Sequence, residues 1–169
     1  VQPNAAWADV LIEPLVAALA AITGVSTVVL NGTGRARSLE GLDDRTDVVL
    51  GTPPTVPLPV PMNGATYMAD VMGGQKTGLF YDQRPNHAFA ASLAAGARVL
   101  DVFSHVGGFG LAALAQGAQS VLAVDGSAPA LVLAESGAAA MNVSDKFATR
   151  KGDAFDVLTQ LSEEGAQFD

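Results

Sequence analysis

The chain has 169 residues, 49% of them hydrophobic and none of them cysteine. That is enough apolar material for a sizeable core, and it leaves no disulfide framework and no thiolate nucleophile in these residues. Nine basic residues stand against seventeen acidic ones for a net charge of −8, split as three against seven before Lys76 and six against ten from Lys76 onward. No basic face for nucleic acid is visible in that balance. The absence of cysteine suits a reducing compartment, and a cytoplasmic location is expected.

The first stretch is apolar, but Asp9 and Glu13 interrupt it and no basic segment precedes it, so neither a signal peptide nor a membrane span is expected. Trp7, Leu11, Pro14, Leu15, Ala18 and Ile22 recur at helical spacing, which predicts one amphipathic helix over 5–21 lying on a core. A strand over 25–30, a polar loop over 31–41 and a short strand over 47–50 follow. Pro57, Pro59 and Pro61 fall on alternate positions. They withhold donors along one side, so this stretch reads as an edge strand or an extended connector. A strand over 66–71 ends in the turn signal Gly73-Gly74.

From Arg98 the pattern is βαβαβα. An apolar strand ends at Asp101, and a helix over 108–116 stops at Gly117, where a left-handed cap is expected. A strand over 120–125 leads to a helix with Ser127 as N-cap and Pro129 in its first turn. A short strand near Arg150 leads to a helix over 155–161, and Phe168-Asp169 opens a fourth strand. Strands alternating with helices imply right-handed crossovers and a parallel sheet. In doubly wound sheets the ligand sits where strand order reverses, so three strands build one wall of that crevice. The chain therefore reads as part of a larger unit.

The segment Asp101-Val-Phe-Ser-His-Val-Gly107-Gly108-Phe-Gly110 is the most informative in the chain. A strand ending in a carboxylate, a glycine turn and a helix N-terminus with unpaired N–H groups together make a nucleotide site. The dinucleotide fingerprint G-x-G-x-x-G is absent. Asp125 ends the second strand 24 residues after Asp101, the position that accepts hydrogen bonds from ribose hydroxyls. Asp153 follows the third strand, where it is placed to hold an adenine amino group with Phe155 beside the ring. Each acid alone also reads as a helix cap or turn residue, but three at successive strand ends favour the ligand reading.

Residues 74–86, Gly-Gln-Lys-Thr-Gly-Leu-Phe-Tyr-Asp-Gln-Arg-Pro-Asn, resemble the signature G-Q-K-T-G-x-F-x-D-Q-R-x-N of bacterial methyltransferases. The family uses S-adenosylmethionine to make 5-methylcytosine in large-subunit (23S) ribosomal RNA. The likeness continues at Leu39-Glu40-Gly41-Leu42, Val99 to Phe103, Gly107-Gly108-Phe109, Val124 to Ser127 and Gly152 to Phe155, covering roughly residues 25–169. It departs at His105-Val106, where the family has an aromatic-Thr pair, and at Ser136-Gly137, where it has an Asn.

The resemblance implies an α/β, Rossmann-like class I methyltransferase domain, of which residues 76–169 would be the N-terminal half with three parallel strands. Residues 1–75 would be part of a small α+β domain, and a PUA domain would belong to the whole protein. S-adenosylmethionine is the implied cofactor. Lys76 and Thr77 would sit in a loop covering it, and Phe80, Asp82, Gln83 and Arg84 near it and the RNA entrance. Asp101 and the Gly107-Gly108 backbone would face its methionine and ribose, Asp125 its ribose hydroxyls and Asp153 its adenine amino group with Phe155 beside the ring, while Phe103, Ser127 and Ala154 would also contact the cofactor.

The family's catalytic cysteine has no counterpart in these residues, so no catalytic residue is assigned here, and no metal site. By itself the chain is expected to be inactive. Ribosomal RNA is the implied partner, met largely through other regions, with no membrane; a homodimer stays open. The alternatives are transfer to a guanine nitrogen by a related family, a non-catalytic module of the same fold, and a fragment of an NAD-binding oxidoreductase. Asp82 also reads as a helix-start cap with Asn86 closing a turn, Lys76 as a solvated surface lysine, His105 as a loop histidine and His87 as a surface residue of the following helix.

Overall fold

The computed structural model describes residues 1–73 and 79–169, so Lys76 and Thr77 lie outside the described residues. The chain divides into two compact units, one of residues 1–56 with 71–73, the other of residues 57–70 with 74–169.

In the first unit the expected N-terminal helix is two helices, α1 (Ala6–Val10) and α2 (Ile12–Thr23). Pro14, in the first turn of α2, has no N–H to donate and its ring crowds the Val10 carbonyl, which favours the break between the two helices at Leu11. The break resets the helical phase. Ile12 and Val16 form the inward stripe, against Val28 and Leu30, while Trp7, Leu11, Leu15 and Ile22 are exposed, contrary to the expected face. Gly24 closes α2 in the left-handed conformation at φ 72°. Strand β1 (Val28–Gly32) pairs antiparallel with β2 (Arg45–Leu50), with an irregularity between Val28 and Val29. The expected polar loop contains a short helix, α3 (Arg35–Leu39). It exists because Arg37 is fully buried: its guanidinium pairs with Asp9 at 2.7 Å and donates to the carbonyls of Pro3 and Asp43. A buried guanidinium needs such saturation, and here the tertiary partners outweigh weak local propensity.

The second unit opens with the antiparallel hairpin β3 (Leu58–Met62) and β4 (Ala65–Ala69). Pro59 and Pro61 sit on β3, which among the described residues pairs with β4 alone, as an edge strand permits. The unit therefore begins earlier than the sequence boundary at 75/76. The physical reason is that β4 packs on α5 (Gly108–Ala115) and α6 (Ala128–Ala140). Between the hairpin and the sheet lies α4 (Arg84–Ser92), preceded by a turn of 3₁₀ helix at Tyr81–Gln83.

The three-stranded sheet β5 (Arg98–Val102), β6 (Ser120–Asp125) and β7 (Phe147–Lys151) is parallel in the order 5-6-7, with α5, α6 and α7 (Ala154–Glu163) following the strands. This is the expected α/β, Rossmann-like architecture. Val124, Val157 and Leu161 form a core with Leu100, Leu122 and Phe168. The Asp169 N–H donates to the Arg98 carbonyl, while the neighbouring Ala97 carbonyl accepts from Gln119. Successive residues of a strand point opposite ways, so Asp169 lies along the β5 edge away from β6. No described helix is long and apolar enough to cross a membrane.

Small residues set the distance between layers. A Cβ at Gly137 of α6 would stand 2.8 Å from the Thr66 carbonyl oxygen of β4 and 2.8 Å from Leu111 Cδ1 of α5. Gly137→Ala should therefore lower stability by about 1–3 kcal/mol through overpacking, despite the better helix propensity of alanine. Urea unfolding of the two proteins checks this; an equal or higher midpoint for the alanine variant contradicts the packing argument.

Candidate functional site

The carboxyl ends of β5, β6 and β7 carry Asp101, Asp125 and the Asp153 that follows β7, and the structure gives each a different job. Asp101 is 5% exposed and turned inward, with Oδ2 accepting the Gly110 N–H at 2.8 Å. It ties the end of β5 to the first turn of α5 and does not open onto solvent. Burial pushes its carboxyl up to about 6, helped by the charge of Asp125 and opposed by the N–H groups of Gly110 and Phe109.

Asp125 is half-buried and bridges two turns. Its Oδ2 accepts the His105 N–H and its Oδ1 the Ser127 N–H, both at 2.8 Å. Ser127 in turn caps α6, its hydroxyl accepting from Ala130 N–H. Asp153 is exposed and caps α7, with Oδ1 accepting from Phe155 and Asp156; Ala154 begins that helix, buried.

Between β5 and α5 the backbone takes left-handed conformations at Phe103 (φ 59°), His105 (φ 50°) and Gly107 (φ 79°). Two non-glycine residues in that region concentrate strain where the strand hands over to the helix. One result is that Phe103 is thrown outward: it is 70% exposed and meets Phe155, 72% exposed, edge to face with centroids 6.4 Å apart. Two solvated aromatic rings thus stand at the ends of β5 and β7 beside Asp125 and Asp153. Flat apolar faces flanked by acceptors are what a ribonucleoside requires.

The glycines of the turn are needed for packing as well as for approach. A Cβ at Gly107 would press on Leu111 and Ala134 at 3.1–3.2 Å, and one at Gly108 would stand 2.8 Å from His87 Cε1 and Nε2. His87 is a correction to the sequence reading: it is a buried residue, 6% exposed, not a surface one. The phase of α4 turns it onto the glycine turn, where it stacks on Tyr67 and meets Phe109 edge to face at 4.5 Å. Burial lowers its pKa, partly offset by Asp82.

Tyr67 is fully buried and donates its hydroxyl to the Gly108 carbonyl at 3.0 Å; burial and the Asp101 charge push its pKa up to about 12. Neither residue was singled out from the sequence for the site. The alternation Ala65, Tyr67, Ala69 on β4 was the available signal for Tyr67, since all three face inward.

Phe80 packs edge to face on the loop histidine His105 at 5.5 Å. Gln83 accepts from Asn86, closing the expected turn, and Arg84 sits by Asn63, whose amide donates to the Arg84 carbonyl. Asp82 is exposed. Phe80, Gln83, Tyr67, His87, Phe103, Ser104, His105 and Gly108 are among the residues lining a pocket of about 160 Å3. The structure therefore gathers Phe103, Gly107, Gly108, Asp125, Ser127, Asp153, Ala154 and Phe155 at the strand ends and Phe80 and Gln83 at the adjoining pocket. Among the described residues no cluster of three or more His, Cys, Asp or Glu could hold a metal ion.

A fold of alternating parallel strands with acids and a glycine turn at their carboxyl ends is that of nucleotide-cofactor domains. The model for S-adenosylmethionine-dependent methyltransferases matches residues 18–142, and the chain belongs to that family. It is 39% identical over 135 residues to ribosomal RNA large subunit methyltransferase I of Aeromonas salmonicida, covering 79% of this chain and 34% of the relative. To the protein of the same name from Shewanella amazonensis it is 36% identical over 169 residues, covering 99% and 43%. Among solved structures, a putative S-adenosylmethionine-dependent methyltransferase from Streptococcus mutans superposes with a TM-score of 0.79 at 21% identity, covering 97% of this chain and 42% of that one. The chain thus spans between a third and a half of the length of these proteins.

The Asp101 carboxyl yields a sign-determined prediction. An acid whose folded pKa of about 6 exceeds its unfolded 3.8 contributes stability at low pH that is withdrawn as pH rises between those values. Asp101→Asn cannot ionise, so its stability relative to wild type should improve between pH 4 and pH 7 by up to about 3 kcal/mol, then level off. Chemical denaturation at pH 4.5 and pH 7.5 measures it; a difference that does not change with pH rules out a raised Asp101.

Proposed function

We propose that the second unit is the cofactor-binding half of a methyltransferase that acts on large-subunit ribosomal RNA and methylates cytosine at C5. The observation that carries the cofactor reading is the exposed Phe103–Phe155 pair standing beside the Asp125 and Asp153 carboxylates. The residues fit S-adenosylmethionine: two aromatic faces for the adenine, an acid already oriented by two backbone N–H groups for the ribose hydroxyls, and a side-chain-free turn for the rest. Family membership and the names of the relatives support the reaction class and the RNA substrate. The target carbon and the PUA-type layout rest on the signature at 74–86.

Bound there, the cofactor supplies an electrophilic methyl group on a sulfonium. This chain's contribution is to bind and orient. Asp125 accepts from the ribose hydroxyls with the lone pairs left by His105 and Ser127. Asp153 accepts from the adenine amino group with the oxygen that does not cap α7, and Phe155 and Phe103 cover the ring. Asp101 acts one layer down, as a positioning residue that holds the glycine turn through Gly110. Phe80 and Gln83, in the pocket wall, stand on the side from which the donor would be covered, and the resemblance assigns Asp82 and Arg84 to the same cover.

With no cysteine among its residues the chain provides no covalent nucleophile for C6 of cytosine, and its acidic balance leaves RNA contacts to other regions. Holding the donor in a fixed geometry is the share of catalysis these residues can supply.

Isothermal titration of the protein with S-adenosylhomocysteine tests the reading. Asp125→Ala should weaken binding by about tenfold or more, the worth of hydrogen bonds to a charged acceptor, and Phe155→Ala by several-fold. Binding of NAD in place of S-adenosylhomocysteine, or of neither, sinks it. Release of tritium from C5-labelled cytosine in large-subunit RNA, measured with the whole protein, checks the target carbon.

A further inference from the structure

Tyr67 carries a polar atom that space-filling does not require. Ala65, Tyr67 and Ala69 form the buried face of β4, which packs on α5 and α6. A phenylalanine would fill that face without a hydroxyl to strip of water. The hydroxyl instead donates, at 3.0 Å, to the carbonyl of Gly108, the first residue of α5. Burial and the Asp101 charge push its pKa up to about 12, so it keeps its proton and remains a donor. Being fully buried, Tyr67 acts on a ligand only through its neighbours.

Other bonds to the turn come from β5, β6 and the turn itself. The Gly107 and Gly108 N–H groups donate back to the Ser104 carbonyl, Gly110 N–H donates to Asp101 and His105 N–H to Asp125. The Tyr67 bond comes from the β3–β4 hairpin, 41 residues earlier in the chain. Left-handed backbone at Phe103 and His105 is strained, and it relaxes if the start of α5 is free to shift. A hydroxyl held on the Gly108 carbonyl opposes that shift. Phe103, and the His105 N–H that orients Asp125, lie in this same turn, so a shift there reaches two groups of the proposed nucleoside site.

We propose that the Tyr67 hydroxyl couples the β3–β4 hairpin to cofactor binding. Tyr67 is a positioning residue that holds the turn in the form that receives the nucleoside, and the bound cofactor in return tightens the hairpin. The return effect is obligatory, because a coupling between two sites has the same magnitude in both directions. The inference rests on the cofactor reading above, and its test separates the two.

Tyr67→Phe removes the hydroxyl and keeps a ring to stack on His87. In calorimetric titration it should bind S-adenosylhomocysteine about three- to tenfold more weakly than wild type, the worth of one hydrogen bond. Leu161→Ala is the control. It opens a cavity in the core of Val124 and Val157 and lowers the urea midpoint, yet its affinity should stay within about twofold of wild type. Replacing Tyr67 with 4-aminophenylalanine, which keeps an N–H donor at that place, should recover most of the loss. Hydrogen exchange reads the return direction. Saturation with S-adenosylhomocysteine should slow exchange of the β4 amides in wild type about three- to tenfold beyond its effect on α7, and no more than on α7 in Tyr67→Phe. If Tyr67→Phe does not fold, the wild-type exchange carries the test.

Unchanged affinity in Tyr67→Phe, equal weakening by Leu161→Ala, or β4 protection in wild type no greater than that of α7 overturns the coupling and leaves the cofactor reading standing. Failure of wild type to bind S-adenosylhomocysteine overturns both.

Discussion

The hydrogen bond from Gly110 N–H to the buried Asp101 carboxylate, at 2.8 Å, is the constraint on which the site depends. A carboxyl group held nearly dry is unfavourable in its charged form, and backbone donors at a helix start offset part of that penalty. The bond fixes where α5 begins relative to the end of β5. With both ends pinned, the residues between have little room, and the chain closes the gap only by taking left-handed conformations at Phe103, His105 and Gly107. Those conformations turn Phe103 outward and aim the His105 N–H at Asp125. The outer features of the site thus follow from an inner bond that touches no solvent.

Packing holds the turn from its other sides. Tyr67 reaches from β4 to the Gly108 carbonyl and His87 lies over the place where a Gly108 side chain would be. Leu111 and Ala134 occupy the equivalent space at Gly107. The high alanine and glycine content of 108–140 has the same origin, since α5 is buried nearly all round, at Leu111, Ala112, Ala113 and Leu114, and α6 must come close to β4. Close approach of layers keeps interior density high with small side chains. A chain with small helices and few charges can therefore still hold a precise strand-to-helix turn.

The functional consequence is a division of labour. The proposed binding groups gather at the carboxyl ends of three strands, where backbone N–H groups already orient the Asp125 carboxylate. The chain has no cysteine, so the thiol nucleophile proposed for the whole protein is not among these residues. The coverage of relatives, between 34% and 43% of their length, agrees with that division.

Alternation of strands and helices from Arg98 onward, the glycine turn, the caps at Ser127 and Asp153 and the three acids at strand ends are all local patterns, and the sequence by itself determined them. Strand and helix periods, and the preference of serine and aspartate for helix starts, act within a few residues. The edge position of β3 followed likewise from its alternate prolines. Other features were decided only by tertiary structure.

Pro14 broke a helix whose apolar spacing read as continuous, and the inward stripe moved to Ile12 and Val16. Arg37 folded a loop into α3 because its partners, Pro3, Asp9 and Asp43, come from outside that helix. Asp101 and Asp125 look alike in sequence, yet one faces inward to Gly110 and the other spans two turns; His87 went from helix surface to pocket wall. The reason is common to all of them. A backbone pattern is set by near neighbours, whereas the burial and partner of a polar side chain are set by whichever distant segment packs against it.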